Sequence, residues 1–398
     1  MLQQLISHSP DIQRLSNEGY DLDLNGAYLL VHHIPYVNSS KEVKYGTIVT
    51  VLTLESPNRT SIPQDHTVFF CGDKPCDAQG QPLTSIINSS GDQQITPTIK
   101  ANHYFSSKPV TGKYQDFYEK IRTYAEILGA QARIIDSEAS AKPLAKPKKL
   151  PAQADDSVFQ YPDTNSARAR LEIINEKFTG QRIGIVGLGG TGSYILDLVA
   201  KTPVAEIHLF DGDEFQLHNA FRAPGAVDGR NLDQGKSRNK VDYFAEIYGR
   251  MHKGIRVHPE FISAANIDNL SGLDFVFVSV DKNGVRHQIV THLVRQGVPC
   301  IDVGLGVNLV DESLIATIRV TTASRLKFDH LDNRIGQDEP DVNEYASNIQ
   351  IADLNCLNAV LAVIKWKKIV GFYQDLRHEH NNLYFTNTGK LMNDDITA

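Results

Sequence analysis

A glycine-rich segment in the second half of the chain constrains the fold more than any other feature. It reads GLGGTG over residues 187–192, follows the apolar stretch 182–186 and opens a segment with helical spacing. Its glycines are Gly187, Gly189, Gly190 and Gly192. Glycines let the backbone approach a phosphate or a ribose closely, and the N-terminus of the following helix supplies free N–H groups. The segment predicts a strand, a nucleotide-binding loop and a helix. By itself it is a weak signal, and it fits a nicotinamide dehydrogenase equally well.

The residues around this loop alternate between strand and helix patterns. Strands are predicted at 182–186, 206–210, 274–280 and 299–303, and helices at 167–178, 192–201, 236–248 and 355–373. Such alternation is typical of an α/β fold with a doubly wound, mainly parallel sheet of the Rossmann type. In the last helix, the spacing predicts a buried face of Leu357, Val360, Leu361 and Ile364.

The N-terminal part of the chain has a different pattern. Strands are predicted at 27–32, 46–54 and 66–70, and a helix at 112–129 that ends at Gly129. We therefore predict a smaller α+β domain over 1–137, whose role no motif identifies. An Ala/Lys/Pro-rich linker over 138–163 follows, and a larger domain occupies 164–398. The lysines of the linker could contact an anionic partner, but a solvated spacer is the favoured interpretation.

Composition excludes several classes of function. The formal net charge is −7, so no overall positive field favours nucleic acid. No signal-peptide pattern opens the sequence, and no apolar run is long enough to span a membrane. The four cysteines are sparse, which fits a reducing cytoplasm. Since none of them forms a C-x-x-C pair, no four-cysteine zinc site is expected.

An aspartate lies at the position where nucleotide-binding sheets carry a ribose ligand. Asp211 ends the strand after the glycine loop, about twenty residues further on. Its carboxylate can accept hydrogen bonds from ribose hydroxyls, although a turn at the end of the strand is the structural alternative.

Cations and a second carboxylate distinguish an enzyme that acts on phosphates from one that transfers hydride. Asn219 and Arg222 follow Asp211 closely, and Lys236 comes next, in the sequence QGK. Positive side chains can neutralise the charge that builds on phosphate oxygens and on a leaving pyrophosphate. Asp281 lies at the carboxyl end of another predicted strand, where it could hold Mg²⁺ or cap the following helix.

Taken together, these motifs resemble the ThiF/MoeB/HesA adenylyltransferases and the adenylation domain of ubiquitin-activating enzymes. The resemblance covers roughly residues 165–395 and rests on GLGGTG, DGDEFQLHNAFR, QGK and SVDKNGVR. It implies a homodimeric enzyme that uses ATP and Mg²⁺ to adenylate the C-terminal glycine of a ubiquitin-like or sulfur-carrier protein. A conjugating or sulfur-transfer partner would follow in the pathway.

The resemblance also implies a role for each matching residue. The glycine loop would cradle the nucleotide and Asp211 would bind the ribose. Asn219, Arg222 and Lys236 would contact phosphates, and Asp281 would hold magnesium. Arg168 or Arg170, before the first strand of the domain, would enter the active site of the partner subunit.

Two features differ from many members of that family. The chain lacks paired C-x-x-C zinc ligands, and it has no cysteine between 321 and 345, where a thioester-forming nucleophile would stand. Cys71 and Cys76 form a minority hypothesis for an acceptor thiol, while Cys300 and Cys356 are predicted to pack in the core. Two other functions stay open from the sequence: an NAD-dependent oxidoreductase, and a non-catalytic module that binds a nucleotide and recognises a partner.

Overall fold

A computed structural model describes residues 1–143, 157–229, 238–335 and 349–396. The chain divides into two compact units, Met1–Glu176 and Lys177–Ala398, and each is described by itself. Much of the predicted linker, 144–156, lies outside the described residues, and the predicted domain boundaries stay predictions. No helix among the described residues is long and apolar enough to cross a bilayer.

The first unit is built on a six-stranded antiparallel sheet with the order β1-β2-β3-β6-β8-β7, beside a small ribbon of β4 and β5. Its strands are β1 Asp21–Asn25, β2 Tyr28–Val37, β3 Val43–Val51, β4 Leu54–Ser56, β5 Arg59–Thr60, β6 Thr67–Cys71, β7 Ile87–Thr96 and β8 Ile99–Ser106. Its helices are α1 Leu2–His8, α2 Pro10–Asn17, α3 Phe117–Ile135, α4 Thr164–Ala169 and α5 Glu172–Asn175. Helices α2 and α3 contribute to the main apolar core on one face of the sheet. This is the α+β architecture that the sequence predicts.

Helix α3 does not end where the sequence predicts. Asp116 caps its N-terminus by accepting a hydrogen bond from the N–H of Glu119, and the helix continues through Gly129 to Ile135. Gly129 is buried within α3. The interpretation of Gly129 as a helix stop was therefore wrong.

The single helix predicted over 167–178 is also wrong, because the chain breaks at Arg170. Asp163 caps α4 at the N–H of Ser166, and Arg170 ends α4 with a φ of 57°, in the left-handed region. Helix α5 then begins at Glu172, and one turn of 3₁₀ helix covers Glu176–Phe178. Ala167 belongs to an apolar cluster with Val49 and Phe69 on the sheet face opposite the main core.

The second unit contains an eight-stranded sheet with the order β11-β10-β9-β12-β13-β14-β15-β16. The pairs from β11 to β13 are parallel, and those from β13 to β16 are antiparallel. The strands are β9 Arg182–Val186, β10 Glu206–Phe210, β11 Ile255–His258, β12 Phe275–Val278, β13 Cys300–Val310, β14 Ser313–Ala323, β15 Glu379–Phe385 and β16 Lys390–Ile396. The helices are α6 Gly190–Val199, α7 Leu217–Ala220, α8 Lys240–Tyr248, α9 Asn283–Gln296, α10 Leu331–Arg334 and α11 Ala352–Ile369. The predicted Rossmann-like α/β fold is confirmed.

Helix α11 lies deeper in this unit than its sequence suggests. It packs against α6 and against β13 and β14, so more than one of its faces is covered. Ile364 of the predicted face is exposed, whereas Ala359, Ala362 and Trp366 are buried. Small residues let the helix approach its neighbours, and the Trp366 ring meets Phe178 and Phe277 in the core. The predicted face was wrong because it assumed a helix packed on one side only.

A buried carboxylate links the carboxyl ends of the central strands. Asp302 in β13 is 1% exposed and lies between two arginines, with its oxygens 3.0 Å from Nε of Arg286 and 2.6 Å from Nη2 of Arg319. Arg286 also donates hydrogen bonds to the carbonyl oxygens of Val280 and Val303. The loop after β12 is thereby fastened to β13 and β14.

We expect Asp302→Ala to destabilise the second unit by about 3–5 kcal/mol, because two nearly buried arginines lose their shared counter-ion. Trp366, the single tryptophan of the chain, lies in that unit, so its fluorescence in urea reports the relevant transition. Arg250→Gln removes only an exposed pair with Glu246 and should change the transition little. Equal midpoints for the two variants would contradict a supporting role for Asp302.

Candidate functional site

The glycine loop of the second unit is shaped by close backbone contacts. Gly187 has a φ of 90°, and a Cβ there would stand 2.5 Å from the carbonyl oxygen of Ser279, beyond β12. A Cβ at Gly192 would stand 1.9 Å from the carbonyl oxygen of Gly187. Gly189 differs, since a Cβ there would meet nothing within 4 Å. Gly187 and Gly192 are thus required by backbone contacts, and Gly189 faces open space beside the start of α6.

Asn355 in α11 packs against this loop, and sequence reasoning did not identify it. It is fully buried, and its Oδ1 accepts a hydrogen bond from Oγ1 of Thr191 at 3.1 Å. Its Nδ2 lies 2.0 Å from the position that a Cβ of Gly190 would take, so only glycine fits there. The contact joins residues that are 164 positions apart in the chain.

Asp211 joins the loop to the segment that follows β10. Its Oδ2 accepts a hydrogen bond from the N–H of Leu188 at 2.6 Å, and its Oδ1 accepts one from the N–H of Asp213 at 2.8 Å. The residue is 6% exposed, and burial raises the pKa of Asp211 against the opposing charge of Lys240. A carboxylate oxygen can accept more than one hydrogen bond, so ribose hydroxyls could still donate to it.

Lys240 is a second residue that sequence reasoning missed. It opens α8, and its side chain is 8% exposed. Its Nζ lies 2.6 Å from Oδ2 of Asp213 and 3.8 Å from Oδ1 of Asp211. The QGK pattern favoured Lys236 for this place, but Lys236 lies outside the described residues. The sequence signal for Lys240 was that a polar residue stands at the start of an amphipathic helix. This signal is weak, because such residues are usually solvated.

Arg222 is half-buried at the same edge, within reach of the charges of two carboxylates. Burial lowers the pKa of Arg222, and the negative charges of Asp213 and Asp281 act in the opposite direction. Its Nε is buried and has no hydrogen-bond partner among the described residues. Asn219 precedes it in α7, and its Oδ1 accepts a hydrogen bond from the N–H of Gln216, which fixes the turn that carries Arg222. A half-buried guanidinium with an unused donor is suited to receiving an anionic oxygen.

Asp281 follows β12 at the carboxyl end of the parallel strands. Its side chain is exposed, whereas the two residues before it are held by hydrogen bonds. The N–H of Ser279 donates to the carbonyl oxygen of Val186 at 2.8 Å, and Arg286 donates to the carbonyl oxygen of Val280. The described residues contain no group of three His, Cys, Asp or Glu side chains that could hold a metal. A magnesium ion at Asp281 would therefore take its other ligands from phosphates and water, as Mg²⁺ commonly does.

The structure thus brings the glycine loop, Asp211, Asn219, Arg222 and Asp281 to one edge of the sheet. Arg168 and Arg170 belong to the first unit. There the guanidinium carbon of Arg170 lies 5.1 Å from the ring centre of Phe69 and 5.4 Å from that of Tyr104. Their predicted entry into a partner's active site stays a prediction.

The cysteines have few of the properties of reactive thiols. Cys76 and Cys300 are buried, and burial raises the pKa of both. Burial also raises the pKa of Cys71, which is partly exposed. Since the thiolate is the nucleophilic form, these surroundings disfavour acyl transfer to Cys71 or Cys76. Cys356 is partly exposed on α11, so the prediction that it packs in the core holds only in part.

The fold and the site together define an α/β nucleotide-loop protein with cations and a carboxylate at the carboxyl edge. Residues 167–308 match the ThiF family, and residues 10–164 match a domain of unknown function, DUF6791. The resemblance inferred from the sequence is confirmed over 167–308.

Individual proteins resemble parts of this chain at low sequence identity. Ubiquitin-like modifier-activating enzyme 5 of Drosophila persimilis is 27% identical over 106 residues, which is 26% of this chain and 26% of that protein. The chain therefore spans about a quarter of the length of that relative. The crystal structure of E. coli MccB with MccA-N7isoASN has a TM-score of 0.46 at 17% identity, covering 58% of this chain and 70% of that one. The structure of PaaA has a TM-score of 0.43 at 19% identity, covering 56% and 75%.

Two glycine substitutions should distinguish a closely packed position in the loop from an open one. Gly192→Ala places a Cβ against the Gly187 carbonyl oxygen and should lower the free energy of unfolding of the second unit by about 1–3 kcal/mol. Gly189→Ala meets no atom within 4 Å and should leave that unit nearly as stable. Urea unfolding followed by Trp366 fluorescence measures both. A Gly189→Ala variant as unstable as Gly192→Ala would contradict the loop geometry.

Proposed function

We propose that this chain catalyses the ATP-dependent adenylation of a carboxylate. The observation that carries the proposal is Arg222, on which the charges of Asp213 and Asp281 act and whose buried Nε is unpaired among the described residues. A cation in this place has an evident use where phosphate oxygens gain charge. Hydride transfer leaves a pyrophosphate intact and gives no account of it, so the NAD-dependent alternative is less favoured.

Each group at the sheet edge has a role in this reaction. Gly189 leaves room for the nucleotide at the positive end of α6, and Asp211 accepts hydrogen bonds from the ribose. Arg222 and Lys240 neutralise charge on the phosphates, with Asn219 contributing amide donors and Lys236 a further candidate cation. Asp281 would hold Mg²⁺, which would stabilise the charge of the leaving group.

The reaction requires no protein nucleophile. A carboxylate oxygen of the substrate attacks the α-phosphorus of ATP, the bond from that phosphorus to the bridging oxygen of the β-phosphate breaks, and pyrophosphate leaves with the electron pair. The products are an acyl-adenylate and pyrophosphate. Binding both reactants in line supplies much of the rate enhancement.

The substrate we favour is the C-terminal carboxylate of a ubiquitin-like or sulfur-carrier protein. Support comes from the ThiF match and from the similarity to a ubiquitin-like modifier-activating enzyme over 106 residues. A homodimer, in which Arg168 or Arg170 reaches the partner's site, belongs to the same proposal. The raised pKa of Cys71 and Cys76 favours an amine or an external sulfur donor as the acyl acceptor.

Exchange of labelled pyrophosphate into ATP, driven by small proteins ending in Gly-Gly, tests the proposal. Asp281→Ala and Lys240→Met should each lower the exchange rate by roughly 10²–10³-fold, because each removes a charge that acts on the phosphates. Cys356→Ala should retain exchange, since the reaction needs no thiol. Exchange that survives Asp281→Ala would refute the metal role, and absence of exchange with every carboxylate tried would favour a non-catalytic binding module.

A further inference from the structure

An exposed aromatic ring in the second unit lies next to the residue that would hold the ribose. Phe261 follows β11 and is 63% exposed. A Cβ at Gly212, directly after Asp211, would stand 2.6 Å from Cδ2 and 2.7 Å from Cε2 of Phe261. The ring therefore occupies the space that glycine leaves at residue 212, and a larger residue there would displace it.

Hydrogen bonds fix the segment that carries this ring. Nδ2 of Asn266 donates to the carbonyl oxygen of Phe261 at 2.9 Å, and Oδ1 of Asn266 accepts a hydrogen bond from the N–H of Ser263 at 2.7 Å. The next residue, Ile262, is 4% exposed and belongs to the apolar core on one face of the sheet. A single exposed aromatic residue is ordinary on a protein surface. Phe261 differs because its backbone is fixed and its ring packs against Gly212.

The order of the strands determines where the base of a bound nucleotide would lie. Strand β10, which ends just before Asp211, has β9 and the glycine loop on one side and β11 on the other. The N–H of Asp211 donates to the carbonyl oxygen of His258 at the end of β11, whereas its carboxylate accepts a hydrogen bond from Leu188 in the loop. In a nucleotide the base and the phosphates are attached at opposite ends of the ribose. With the phosphates at the glycine loop and the ribose at Asp211, the base extends toward β11 and Phe261.

From the fixed ring and its place beside Asp211, we propose that Phe261 is a platform on which the base of the nucleotide stacks. Every base has a flat π face, so an exposed aromatic side chain can stack on any of them. A purine covers more of a phenyl ring than a pyrimidine does, because it has two fused rings. Stacking on Phe261 therefore selects purine nucleotides as a class and leaves the choice between adenine and guanine to other contacts.

This role of Phe261 rests on the proposed function, because it requires that Asp211 bind the ribose. It deepens that function by assigning recognition of the base to a residue outside the segments 187–192, 211–222 and 279–286, which carry the contacts to the ribose, the phosphates and the metal. Loss of the ring should weaken binding of the nucleoside part and leave binding of the phosphates unchanged.

Titration calorimetry of the full chain with ATP, CTP and inorganic tripolyphosphate, each with Mg²⁺, tests this role. Phe261→Ala should weaken ATP binding by about tenfold or more, reduce the preference for ATP over CTP, and leave tripolyphosphate binding unchanged. Phe261→Trp should retain ATP binding, and ATP should change its indole fluorescence more than it changes that of the wild type. Phe328→Ala removes another exposed phenyl ring, 52% exposed and beyond β14, and should bind ATP like the wild type.

A double-mutant cycle with Gly212 tests whether the ring acts from its packed position. Gly212→Ala should weaken ATP binding about as much as Phe261→Ala, because the added Cβ displaces the ring. In the Phe261→Ala background the same change should have little further effect, since the two residues act through one contact. Additive losses, or an unchanged preference for ATP over CTP in Phe261→Ala, would overturn the platform. Urea unfolding followed by Trp366 fluorescence shows whether lost binding in Gly212→Ala or Phe261→Ala reflects lost folding.

The platform and the proposed function can fail separately. ATP binding that Phe261→Ala leaves intact would overturn the platform alone. A chain that binds ATP through Phe261 and shows no pyrophosphate exchange with any carboxylate would support the platform and contradict adenylation. Absence of both ATP and tripolyphosphate binding in the wild type would overturn both.

Discussion

The two hydrogen bonds accepted by Asp211 are the interaction on which the candidate site depends. One carboxylate fixes the N–H of Leu188 in the glycine loop and the N–H of Asp213 in the next segment. Through Asp213 it is coupled to Lys240, which lies 2.6 Å from that second carboxylate. Because Asp211 is buried, these contacts operate where competing water is scarce and charge interactions are strong. Loss of this carboxylate would release the loop, the turn and the lysine together.

Packing of distant segments holds this arrangement in place. Gly187 and Gly192 are required where backbone approaches backbone, and Asn355 fills the space that Gly190 leaves. Asp302 and its two arginines fasten the loop that carries Asp281. The positions of the charged groups are therefore set by tertiary contacts, whereas their identities are set by the local motif. Such preorganisation suits a reaction whose rate depends mainly on positioning the reactants and stabilising charge.

The parts of this structure that could be predicted are those encoded locally. The glycine loop and Asp211 are close in sequence and joined by one strand, so their spacing alone predicts the geometry. The sequence could not favour Lys240 over Lys236 as the cation beside the carboxylates, because the position of a lysine there depends on the path of a loop. Asn355 was missed since its partner, Thr191, is remote in the chain. The break at Arg170 was missed because a non-glycine residue in the left-handed region has no reliable sequence signal.

ATP binding at the carboxyl edge of the sheet can be measured against NAD⁺ binding. Equilibrium dialysis of the full chain with each labelled nucleotide, in the presence of Mg²⁺, gives both affinities under one condition. We expect saturable ATP binding at least about tenfold tighter than NAD⁺ binding, and we expect the Arg222→Ala variant to lose it. Tighter binding of NAD⁺, or ATP binding indifferent to Arg222, would contradict it.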